Sequence, residues 1–238
     1  MNSVPPVNNL LRALRPQDLA LIEPKLKLDR LSAGQVIYHP GDHVREVVFP
    51  CNSTLLAFRV ALDDGKSVET ALVGREGALG GVVSQGLLPA YARAEVQFEG
   101  PCFRMRIEEL EAAKQQSPAI RNLFARYADC LLAQVFQSVA CNAAHPIEQR
   151  ASKWLISAME RTGSERLVLT QEQLAALLGV GRSYVSRVIQ LLKARGLIGT
   201  HRGALAILDP DALARGACGC QSAVKQHFHE VLRGVYPD

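Results

Sequence analysis

Residues 177–198 read LLGVGRSYVSRVIQLLKARGLI. Two glycines sit inside an apolar pattern, and the residues upstream explain them. Thr170 is a good helix N-cap, and Gln173 three positions on completes a capping-box pattern. Leu174, Leu177 and Leu178 form the buried stripe of a short helix. Gly179 suits the left-handed position that ends a helix, and Gly181 can cap the next one. Val180 between them plugs the corner. The second helix runs from Arg182 to about Arg195 and stops at Gly196, with Val185, Val188, Ile189 and Leu192 on its inner face. This is the grammar of helix, tight turn, helix.

The outer face of that second helix carries Arg182, Ser183, Ser186, Arg187 and Gln190. Guanidinium forks, short hydroxyls and an amide are the inventory for reading base edges: Arg to guanine, Gln to adenine, Ser to several partners. The amide region of Gly181 at the helix N-terminus favours a phosphate. Next comes LIGTHRGALAIL, a hairpin with its tip at His201-Arg202-Gly203. A two-stranded wing with a basic tip fits against a sugar–phosphate backbone. The plain alternative is a helical domain with a solvated face, but cap, turn, stripe and wing agree on more.

Outward from this segment, residues 27–106 read as short strands. VIYHPGDHVREVVFP, TLLAFRVAL, SVETALV, AEVQFEG and CFRMRI are separated by turn signals such as Pro40-Gly41-Asp42 and Asp63-Asp64-Gly65. The pattern predicts an antiparallel barrel or jelly roll, with short helices at Asn8–Leu14 and Pro16–Ile22 leading into it. Ile107–Gln116 reads as a helix. Ser117-Pro118 then starts a long one, free of Gly and Pro to about Ala143 and roughly 40 Å in length. Ile120, Phe124, Tyr127, Leu131 and Val135 make an apolar seam at alternating spacings of four and three. The seam fits a core helix or a dimer contact, and the helix's length favours the dimer. After His145-Pro146, Ile147–Arg161 is helical with Trp154 and Leu155 facing in, and Pro210–Asp238 reads as one further helix.

The 238 residues are 48% hydrophobic and 21% charged, an ordinary globular balance. No apolar run approaches the roughly 18 residues that cross a bilayer, and the N-terminus lacks a secretory pattern, so a cytoplasmic protein with no membrane partner is expected. The net charge is only +4, but its placement is uneven. Residues 144–206 hold nine Lys/Arg against four Asp/Glu, and the rest is near neutral. A field concentrated in one segment suits a polyanion.

YHPGDHVREVVFP, the DDG turn, VGREGALG, HPIEQRASKWL and the helix–turn–helix segment through its wing together resemble the Crp–Fnr family of bacterial transcription regulators. The resemblance covers nearly the whole chain. It implies an α+β fold: a β-roll sensor domain (1–116) like a cyclic-nucleotide-binding jelly roll, a dimerisation helix (117–143) and a winged helix-turn-helix with a tail helix (144–238). The implied partners are double-stranded DNA with a palindromic site, a second copy of the chain and RNA polymerase. Arg182, Ser183, Ser186 and Arg187 match the family's base- and phosphate-contacting positions; Gln190 joins them, and Thr170, His201 and Arg202 would position the backbone. Ser183 stands where the best-known members carry a Glu, so the family's usual target does not carry over.

The resemblance also sets a test for the roll. The family's cyclic-nucleotide cassette has Gly-Glu followed later by an Arg. Here Gly80 is followed by Gly81, and Arg93 lies one residue late, on the other face of its strand. A degenerate cassette near Gly80, Gly81 and Arg93, sensing another signal or none, is the expectation, with no cofactor. The iron–sulfur members carry N-terminal cysteines, and this chain has none before Cys51. Cys51, Cys102, Cys130 and Cys141 read as buried thiols. In the tail, Cys218, Cys220, His227 and His229 could supply four soft ligands, but their spacings are not the usual ones for zinc, and no metal site is assigned. No nucleophile–base pair, catalytic carboxylate motif or phosphate-loop ending is present, so an enzyme is not expected. The rival reading is a small-molecule sensor acting through protein contacts.

Overall fold

The computed structural model describes residues 5–65, 67–82, 88–201 and 203–234. Two short helices, α1 (Asn9–Arg12) and α2 (Pro16–Ile22), lead through a 3-10 turn into the strands β1 (Lys27–Leu31), β2 (Val36–Tyr38), β3 (Glu46–Pro50), β4 (Leu55–Ala61), β5 (Ser67–Val73), β6 (Arg93–Phe98) and β7 (Gly100–Arg106). They form two antiparallel sheets, ordered β1-β7-β3 and β2-β6-β4-β5. Alternation along β6 sends Ala94, Val96 and Phe98 inward. Leu31, Val48, Leu56, Val73, Leu79, Ala94, Val96 and Cys102 fill the space between the sheets. The expected roll is present. Asn8 ties the leading segment to it: its amide donates to the Pro50 and Gly77 carbonyls at 2.8 Å, while its oxygen caps α1.

Helix α3 (Ile107–Gln116) ends where Ser117 begins α4 (Pro118–Ala144). The Ser117 hydroxyl accepts from the Ile120 amide at 3.2 Å and donates to Asp18 at 2.6 Å, so one buried residue caps α4 and fastens it to α2. The apolar seam on α4 belongs to the chain's own core. Ile120, Phe124 and Tyr127 are buried with Leu10, Ile22, Phe49 and Leu110, and Leu131 packs on the roll interior. This corrects the reading of that seam as a dimer contact. The roll covers the first half of the helix, and a different stripe stays free: Leu132, Phe136 and Val139 are 48%, 64% and 66% exposed.

Helix α5 (Ile147–Thr162) opens the C-terminal part, followed by β8 (Arg166–Leu167), α6 (Gln171–Leu178), α7 (Arg182–Ala194), β9 (Ile198–His201), β10 (Ala204–Ile207), α8 (Pro210–Arg215) and α9 (Cys220–Leu232). The wing is a three-stranded antiparallel sheet, β8-β10-β9. β8 has only two residues, too few to show period-2 alternation in the sequence. The tail is two helices where one was expected, because the stretch around Gly216 and Gly219 is a poor helix former and interrupts it. α9 runs back along α4: the Phe228 ring meets Tyr127 edge-on, His227 pairs with Asp129 at 2.8 Å, and the Val231 carbonyl accepts from Arg126.

The helix-turn-helix segment is packed against the roll. One apolar cluster joins Leu55, Ala57, Leu72 and Phe98 of the sheet to Trp154, Leu155, Leu174 and Ile189. Trp154 stacks edge-on with Phe98, and its indole N–H donates to both Glu69 carboxylate oxygens at 2.9 and 3.0 Å. Part of the Glu69 stem stays exposed, but its carboxylate lies under the indole. Desolvation there pushes Glu69 up from an ordinary 4.5 to about 7, against the lowering effects of the Trp154 bond and of Lys153, Arg161 and Arg59. The folded protein therefore holds this proton more tightly than the unfolded chain. Glu69 favours folding most below about pH 4.5, and that contribution is lost as pH rises to about 7. Glu69→Gln keeps an oxygen for the indole and removes the charge. It is expected to raise the melting temperature at pH 8 and flatten this part of the pH–stability curve, as read by thermal denaturation across pH.

Candidate nucleic-acid interface

The turn between α6 and α7 is built by its backbone. The Thr170 hydroxyl accepts from the Gln173 amide at 3.1 Å, and the Gln173 side chain accepts from the Thr170 amide at 2.8 Å, the reciprocal box read from the sequence. At the other end of α6, the Gly179 N–H bonds to Ala176 and the Val180 N–H to Ala175, a Schellman closure. Gly179 has φ +67°, and a Cβ there would lie 3.0 Å from Val68 of β5. Gly181 then caps α7 in extended conformation. Gly196 and Leu197 repeat the same closure at the end of α7.

This frame fixes which side of α7 faces out. Val185, Val188, Ile189 and Leu192 are buried as expected. Arg182, Ser183, Arg187 and Gln190 are exposed. Ser186 is half-buried, and its hydroxyl donates to the Gln171 side chain at 2.5 Å, bridging the two helices. Thr170 is likewise occupied as a cap, but its hydroxyl proton stays free of that bond and can still reach a phosphate. His201 is exposed at the end of β9, whereas Arg202 lies outside the described residues. One contributor was missed in the sequence. Tyr184 is 43% exposed, and the Arg187 guanidinium sits 5.1 Å from its ring centroid. The i,i+3 spacing of an aromatic and an Arg was the available signal. The contact limits the conformations open to Arg187 without neutralising its charge. On the inner side, Arg150 donates to the Leu178 carbonyl at 2.7 Å, steadying the end of α6.

The residues expected to form a degenerate cassette, Gly80, Gly81 and Arg93, are engaged in packing and ion pairing. Gly80 has φ +82°, and a Cβ there would meet the Glu46 carbonyl at 2.5 Å. The Gly81 carbonyl accepts from Lys114 at 2.5 Å. Arg93 pairs with Glu95 at 2.9 Å, two positions along the same strand face, with Arg59 opposite it on β4. Arg59 also approaches Glu95, at 3.8 Å, so one carboxylate serves two guanidiniums.

Residues 149–215 match the model of the Crp-like helix-turn-helix domain, from the first turn of α5 to the end of α8. The chain thus carries a Crp-like helix-turn-helix domain in that segment. Its fold is shared with solved Crp–Fnr structures at low identity. FixK2 from Bradyrhizobium japonicum superposes with a TM-score of 0.67 at 16% identity, covering 81% of this chain and 98% of that one. CLP, the c-di-GMP-responsive global regulator of Xanthomonas campestris, gives 0.66 at 13%, covering 82% and 100%. A Crp/Fnr-family transcriptional regulator from Thermus thermophilus gives 0.64 at 22%, covering 80% and 98%. No curated protein matches the chain by sequence. Among the described residues, no helix is long and apolar enough to cross a membrane.

The frame makes Gly179 a stability-critical position. Gly179→Ala combines a left-handed backbone with a close approach to Val68. It is expected to cost about 1–2 kcal/mol in denaturant unfolding.

Proposed function

We propose that this chain is a Crp–Fnr-type, sequence-specific DNA-binding transcription regulator that acts as a homodimer. The observation that carries the reading is the exposed face of α7: Arg182, Ser183, Arg187 and Gln190 project from a helix locked at both ends, with a wing beside it. Such a helix enters the major groove, where these side chains meet base edges. Thr170, Ser186, His201 and Arg202 are assigned to positioning and backbone contact. Ser183 offers a hydroxyl where a carboxylate would accept from cytosine, so the site read differs from the family's familiar one.

The dimer reading now rests on the free stripe of α4. Ala125, Leu132, Phe136 and Val139 are exposed at offsets of seven, four and three, the repeat of a two-helix seam. Pairing α4 with its copy would cover them and set two α7 helices about 34 Å apart, one turn of DNA. RNA polymerase is the protein partner that the resemblance to the Crp–Fnr family implies, and the cytoplasm is the matching compartment. For the roll, the pairing of Arg93 with Glu95 supports a signal other than a cyclic nucleotide, or none.

Phe136→Glu is expected to shift the protein from dimer to monomer in sedimentation and to abolish operator binding. Arg187→Ala should weaken binding to a selected operator by about 1–3 kcal/mol and relax preference at one base pair. The operator comes from genomic capture and sequencing, with affinity followed across a salt series. Steep salt dependence with a recovered motif supports the proposal. Flat dependence with no motif would point to a protein adaptor.

A further inference from the structure

Three buried thiols and an imidazole come together where the long helix ends. Cys141 lies in the last turn of α4, and His145 follows that helix directly. Cys218 and Cys220 lie at the start of α9, some 77 residues later in the chain. Cys141, Cys218 and Cys220 are buried and form an apolar cluster of cysteines alone, with His145 half-buried at its edge. The Cys141 and Cys218 sulfurs are 3.5 Å apart, and the Cys220 sulfur is 3.5 Å from Nδ1 of His145. All four donor atoms lie within 4.8 Å of one another.

We propose that Cys141, His145, Cys218 and Cys220 form a tetrahedral binding site for zinc. A Zn–S distance of about 2.3 Å places two sulfurs of a tetrahedron about 3.8 Å apart. The observed spacings bracket that value, so the ligands close on an ion with only small side-chain rotations. Three thiolates and one imidazole are a recurring closed structural set for this metal. A hydrogen-bond donor to a coordinating sulfur is also in place: the Gln137 amide donates to the Cys220 sulfur at 3.1 Å. The tail histidines are not part of the set. His227 is paired with Asp129, and His229 lies with Lys225 and Arg233 along the far part of α9. The ligands are Cys-x3-His at a helix end and Cys-x-Cys in the tail, so the site exists only when the chain is folded. Zinc here fastens α9 to the junction of α4 and α5, beside Pro146. The adjacent Gln221 already bonds to Ser157 and Glu160 of α5.

The test uses the full chain, purified with reductant. Elemental analysis is expected to find about one zinc per chain, retained on desalting. Replacement with Co²⁺ is expected to give the strong visible bands of tetrahedral cobalt and a near-ultraviolet thiolate-to-cobalt transition. In competition with a chromophoric chelator, Cys141→Ser and His145→Ala should each weaken zinc retention by about tenfold or more, with His227→Ala unchanged. Circular dichroism checks folding, and the half-buried His145→Ala carries the test if the cysteine variant unfolds. Folded protein that retains no zinc after incubation with it would overturn the proposal. So would a cobalt spectrum lacking the thiolate transition, unchanged retention in His145→Ala, or an equal loss in His227→Ala.

Discussion

The way α4 divides its surface governs the rest of the molecule. A 27-residue helix has more surface than a small roll can cover. Its first half gives Ile120, Phe124 and Tyr127 to the roll and is fastened at its start by Ser117 and Asp18. Its second half has three uses at once. One side holds Gln134 against the Leu72 carbonyl, another meets the start of α9 through Gln137 and Cys220, and a third leaves Phe136 and Val139 uncovered. The position of the helix-turn-helix follows, because α5 starts where α4 ends and Trp154 must find cover on the sheet.

Local features of the chain were legible in its sequence where short-range chemistry decides them. Ser117, Thr170, Gln173, Gly179 and Gly181 each took the expected role, because caps and turns depend on neighbours within four residues. Allocation of faces was not legible in the same way. The α4 seam and its exposed stripe are both apolar at helical spacing, and only the packed roll distinguishes them. Strand β8 is too short to carry a pattern, and the interruption at Gly216 was hidden inside a helical composition. The outward face of α7 is readable from periodicity, whereas the role of Tyr184 depends on a ring–guanidinium contact that side-chain orientation decides. The cysteines show the limit most clearly. Sequence placed Cys218 and Cys220 beside the tail histidines, whereas the fold brings them to Cys141 and His145, reached from a different helix.

In the roll, the residues around Gly80, Gly81 and Arg93 pack as scaffold. Gly80 and Gly81 keep the backbone close to β3 and α3, where any side chain would collide. Lys114 takes the carbonyl of Gly81, and Glu95 takes the guanidinium of Arg93. Part of the polar surface there is thus engaged by neighbours on the same protein.

The apolar cluster shared by the sheet and the helix-turn-helix has a consequence for modularity. Leu55, Ala57, Leu72 and Phe98 contribute one wall of the same core that Leu174 and Ile189 contribute from the other side. A cut at residue 144 would expose both walls and leave the Trp154 indole without its carboxylate. The helix-turn-helix unit is thus not a detachable cassette: grafting it onto another domain would require carrying the outer face of β4, β5 and β6 along with it.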